Sequence, residues 1–146
     1  MFRLFCLAIL IILSVVDALY MMVPDAGVTA LLAAALIWVP PETLAEGLPA
    51  AAAVWGVYAL CVFICMRLEK EAPVGAGDIK LLGALALFLG SYRLLVLLAA
   101  ACMASGAFAA LLLLFKKAGP KSRIPFVPFI AAGYAAAIST EAAALI

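Results

Sequence analysis

Histidine is absent from the chain, which removes an imidazole base and any His-ligated metal site from consideration. Charge is scarce as well: 9 basic and 8 acidic residues account for only 12% of 146 positions, about half of what a soluble domain carries. Cysteine is limited to Cys6, Cys61, Cys65 and Cys102, all within apolar runs and with no C-x-x-C pair, so neither a zinc site nor a dithiol centre is indicated. Cys61 and Cys65 stand one helical turn apart, and all four are expected to be small buried hydrophobes. What fills the chain instead is 71% hydrophobic residues, with a mean hydropathy of +1.34. That composition defines an integral membrane protein whose medium is the lipid bilayer. At about 20 residues per helical span there is room for five or six crossings and for no sizeable soluble domain. The formal net charge of +1 points to no nucleic-acid partner, since in such a protein the sharing of charge between the two faces carries the information.

Apolar runs and their breakers predict an all-α, polytopic bundle of about six transmembrane helices, at residues 2–22, 26–39, 48–66, 79–90, 93–115 and 125–145, in one membrane-embedded domain over 1–146. The breakers are Pro24, the Pro40 and Pro41 pair, the RLEKEAPVGAGD stretch, Gly90 with Arg93, and KKAGPKSR. The first apolar run has a basic residue near its start, as a signal peptide does. It is long, lacks an A-x-A site and is interrupted by Asp17, so it reads as a retained helix. Six spans place Arg67, Lys70, Lys80, Lys116, Lys117, Lys121 and Arg123 on one face, against Arg3 and Arg93 on the other. The positive-inside bias makes the richer face cytoplasmic. Asp17 and Asp78 then both lie toward that face, and Glu69 and Glu71 read as solvated charges of the third loop.

A carboxylate within a membrane helix costs about 3 kcal/mol and is a functional candidate by default. Simpler roles exist: Asp78 as the N-cap of a helix starting at Ile79, or Asp17 paired with a lysine. The segment from Ile79 to Gly90 has only 12 residues, or roughly 18 Å of helix, against a hydrocarbon core of ~30 Å. A helix that short starts beneath the surface if Pro73, Val74, Gly75, Ala76 and Gly77 enter the membrane as irregular backbone lining a wet cavity. Gly75 and Gly77 suit that role because glycine reaches positive φ freely. Asp17, five residues before the expected helix end, lies at a similar depth of about 7–8 Å. Two neighbouring carboxylates share a proton and so supply acid and base together, the chemistry by which aspartic proteases hydrolyse peptides without a metal or cofactor.

Three stretches carry a resemblance. GAGDIKLLGALALFLG, at residues 75–90, resembles the GxGD segment of prepilin peptidases, which are membrane aspartyl peptidases. DALYMMVPD is similar to that family's first aspartate motif, and RIPFVPFIAAGYA to its IPF-x-PF signature. The resemblance implies Asp17 and Asp78 as catalytic residues, Gly75 and Gly77 as active-site loop backbone, and Lys80 as a charge at the edge of the site. It implies no metal and no cofactor. The expected partner is a type IV or Flp-like prepilin, cut after a glycine at the cytoplasmic face of the inner membrane. Relatives usually carry basic residues where ALYMM follows Asp17. Larger relatives also carry a cysteine-rich methyltransferase domain that this sequence lacks, so the chain resembles the short, peptidase-only Flp or Tad type. The alternative reading is a small ion- or proton-coupled carrier or channel subunit, with Asp17 and Asp78 relaying protons. Against it stand the lack of an internal repeat and the placement of both acids on one side.

Overall fold

The computed structural model describes residues 2–68, 75–115 and 124–144, with side chains placed up to Ser139. All regular elements among them are helices: α1 (Phe2–Tyr20), α2 (Asp25–Trp38), α3 (Pro41–Arg67), α4 (Ala76–Leu114) and α5 (Val127–Ala144). As one straight rod the 39 residues of α4 would run to about 58 Å, nearly twice the bilayer core. The rod is broken at Gly90, whose φ of 73° and ψ of 174° are not helical. That region is open essentially to glycine alone. The break falls at the end of the short helix expected at 79–90, just ahead of the one expected at 93–115.

α1, α3 and α4 are long and apolar enough to cross a membrane, while α2 and α5 are shorter apolar helices. Their outer faces display Ile12, Leu19, Ile37, Leu60, Met66, Leu95 and Met103. An apolar surface of that extent is unstable in water and suited to lipid, so the protein is a multi-pass, helical membrane protein. Of the cysteines only Cys6 is buried; Cys61 and Cys65 are half-buried and Cys102 is exposed. The expectation of a buried thiol holds for Cys6 and is corrected for Cys61, Cys65 and Cys102, which lie on helix faces left partly or fully exposed.

The chain divides into two compact units, residues 1–22 with 95–146 and residues 23–94. In the first, α1 packs on α5 through the stripe Cys6, Leu10, Leu13 and Asp17, a spacing of three and four residues that keeps one helical face inward. Phe108 and Phe129 meet at 5.6 Å between ring centroids, and the fully buried Tyr134 donates its hydroxyl to the Arg3 carbonyl at 3.4 Å.

In the second unit the first part of α4 is buried on nearly every side, from Leu81 to Ala86 and again at Phe88 and Leu89, as a central helix must be. α2 faces inward through Val28, Leu31, Ala34 and Ala35. α3 contributes Gly47, Ala50 and Ala51. A β-carbon at Gly47 would lie 2.6 Å from the Ala86 carbonyl oxygen, so main chain here meets main chain. Small residues make such close helix contacts possible in lipid. α3 begins at Pro41, well before the expected residue 48, because proline is pre-set for the first helical position. Pro49 is accommodated inside the helix.

Candidate active site

Asp17 is the fourth member of the buried stripe of α1 and is 6% exposed. α1 ends at Tyr20, two residues earlier than expected, so Asp17 sits in its last turn. Met21 follows in the left-handed region at φ 53°, and its N–H donates to the Asp17 carbonyl at 2.8 Å. This is a left-handed helix stop of the kind usually made by glycine. The side chain is held as well: Asp17 Oδ2 accepts the main-chain N–H of Val127, the first residue of α5, at 3.0 Å in a buried setting. Carboxylate and helix N-terminus are natural partners, since the first-turn N–H groups lack helical acceptors and carry the positive end of the dipole.

The sequence around that N-terminus explains why a single donor points at Asp17. Pro128 has no N–H. The N–H groups of Phe129 and Ile130 both turn to the Phe126 carbonyl, at 3.0 and 3.1 Å. Val127 alone in this turn is left to donate outward, and it does so to Asp17. The IPF-V-PF stretch therefore acts as a device at the start of α5. Pro125 and Pro128, flanking Phe126 and Val127, were the signal that could have revealed it.

Asp78 is half-buried in the first turn of α4. Because α4 starts at Ala76, Asp78 is the third helical residue, and the alternative of an N-cap before Ile79 does not hold. Its Oδ2 lies back over Gly75, 3.5 Å from where a β-carbon would stand. An acidic residue there is favoured by the helix dipole. Gly77 is likewise helical, and Gly90 is the sole glycine with positive φ among the described residues. The expected loop role of Gly77 is thus corrected: glycine is needed at 77 for space, since a β-carbon there would fall 2.8 Å from Val23 Cβ and 3.2 Å from Val23 Cγ2. Pro73 and Val74, expected to enter the membrane as irregular backbone, lie outside the described residues. So do Glu69, Lys70, Glu71, Lys116, Lys117, Lys121 and Arg123.

Lys80 pairs with Asp25, Nζ to Oδ1 at 2.8 Å. Asp25 went unnoticed in the sequence because its partner is 55 residues away. The pair stands at a cavity of about 400 Å³ lined also by Thr29, Leu32, Trp55 and Leu87. Asp17 belongs to the first unit and Asp78 to the second. Among the described residues no cluster of three or more acidic or cysteine side chains is able to hold a metal.

Fold and acids together describe a polytopic membrane protein with a carboxylate at the end of one helix and another at the start of a second. The type IV leader peptidase family matches residues 4–115, about three quarters of the chain, and the chain belongs to that family. It is therefore a peptidase of the leader-processing type. The matched range includes both aspartates and stops short of the start of α5. No curated protein and no solved structure matches the chain.

Proposed function

We propose that the chain is an aspartic endopeptidase, one functional domain over 1–146, that removes the leader from an Flp-like type IV prepilin at the cytoplasmic face of the inner membrane. The observation that carries this reading is the family match over a range holding both Asp17 and Asp78. One aspartate takes a proton from the attacking water while the other protonates the scissile carbonyl oxygen. Metal and cofactor have no part in that chemistry. Gly75 lets the Asp78 carboxyl lie close to the start of α4, and Gly77 seats that helix against Val23. The substrate is itself a membrane helix, whose carbonyls are engaged until it unwinds locally at the cut. The excess of basic residues on the face with Arg67 and Lys80 supports a cytoplasmic site.

The test is co-expression with an Flp-type precursor in cells without other prepilin peptidases. Asp17→Asn and Asp78→Asn should each abolish leader removal while the protein still accumulates in the membrane. Near-normal cleavage by either variant would exclude that aspartate from the reaction.

A further inference from the structure

We propose that the start of α5 is a positioning element for the reaction: the main-chain N–H of Val127, isolated by Pro128, fixes the carboxyl group of Asp17 through Oδ2 and leaves Oδ1 for proton transfer. The inference rests on the reading of Asp17 as catalytic and adds to it a residue that never touches the substrate. Three observations carry it. Asp17 is anchored at both ends, its carbonyl by Met21 N–H and its carboxylate by Val127 N–H, so neither backbone nor side chain is free to swing. Val127 is fully buried, which keeps water from competing for the bond and makes it stronger than it would be on a surface. The other early N–H groups of α5 are missing or spent on Phe126, so the carboxylate meets one donor in one direction. A side chain bound through one oxygen by a rigid helix end keeps a single rotamer, and preorganisation of that kind accelerates proton transfer.

A cap that merely stabilised the fold would predict less folded protein but unchanged turnover of whatever folds. Positioning predicts a loss in kcat with KM kept. The experiment removes one hydrogen: valine 127 is replaced by its α-hydroxy analogue, turning the amide into an ester, with Val127→Ala as the control that keeps the N–H. Val127→Pro is a second route, because proline fits the first helical position. Purified protein and a purified Flp-type prepilin in liposomes give kcat and KM per folded molecule. The ester and Val127→Pro should lower kcat tenfold or more with KM within twofold, and Val127→Ala should stay within threefold of the parent. Full kcat in the ester chain, with Asp17→Asn inactive, would overturn the positioning role and leave the catalytic reading intact. Activity in Asp17→Asn would overturn that reading itself. On the unmodified backbone, hydrogen exchange at the Val127 amide should be slow in the parent and in Asp17→Asn and fast in Asp17→Ala. Equal protection in all three would also overturn the proposal.

Discussion

Adding a single methyl group at position 77 tests how α4 is seated. The β-carbon of Gly77→Ala would lie 2.8 Å from Val23 Cβ, whereas unbonded carbons rest at about 3.5–4.0 Å. One of the two segments must therefore move by about 1 Å. Overpacking of this kind costs ~1–3 kcal/mol, and replacing glycine in a helix returns at most about 1 kcal/mol. The clash wins: Gly77→Ala should be less stable by about 1 kcal/mol, and Gly77→Val, with two further carbons, by about 2–3 kcal/mol. Leader cleavage should fall in the same order, since Asp78 is the next residue. The partner change sharpens the test. Val23→Gly removes both atoms in the way and leaves only the Val23 Cα at 3.7 Å, so it should restore most of the loss in Gly77→Ala, with a coupling of about 1 kcal/mol. Val23→Ala, which keeps the nearer atom, should restore little. Unfolding in detergent and cleavage of a purified precursor would be measured for the four members of the cycle. A Gly77→Ala protein with parental stability and cleavage, or additive effects with Val23→Gly, would refute the steric account.

Other outcomes follow from single contacts. Asp17→Ala leaves the buried Val127 N–H without its acceptor and should be less stable than Asp17→Asn by ~1–2 kcal/mol, seen in unfolding midpoints whatever either variant does to cleavage. Gly90→Ala meets no neighbouring atom, so its cost is that of the backbone at φ 73° alone, about 1–3 kcal/mol, again read by unfolding. Lys80→Ala and Asp25→Asn break an exposed pair worth at most about 1 kcal/mol. Each should change stability little, the double variant no more than either, and cleavage should persist within a few-fold.

The helices were legible because their signals are local. Apolar runs, Pro24, the Pro40–Pro41 pair and Gly90 set where chain direction changes, and the structure breaks at or within a few residues of each. The errors also have local causes. GAG before Asp78 looks like loop sequence, yet Ala76 and Gly77 are helical, since glycine at the second position adds little strain and the contact with Val23 demands it. Pro41 looked like a stop and is a start. The aspartates stood out because charge is rare in such a chain, whereas their surroundings did not. Val127 lies 110 residues from Asp17, and Asp25 lies 55 from Lys80. No periodicity within a window of 18 residues reports on partners that far apart.

The hydrogen bond from Val127 to Asp17 has a consequence for the order of events during synthesis. α1 leaves the ribosome well before α5, carrying an acid whose hydrogen-bond donor is made only 110 residues later. Until α5 enters the bilayer, the Asp17 carboxylate lacks its donor. A nascent chain stalled before α5 would hold the acid without its fixed orientation and, on the role proposed for Asp17, would be idle toward substrates that share the same membrane. On the role proposed for Asp17, insertion of α5 and readiness of the site thus coincide, with the later helix acting as the key that arms the earlier one.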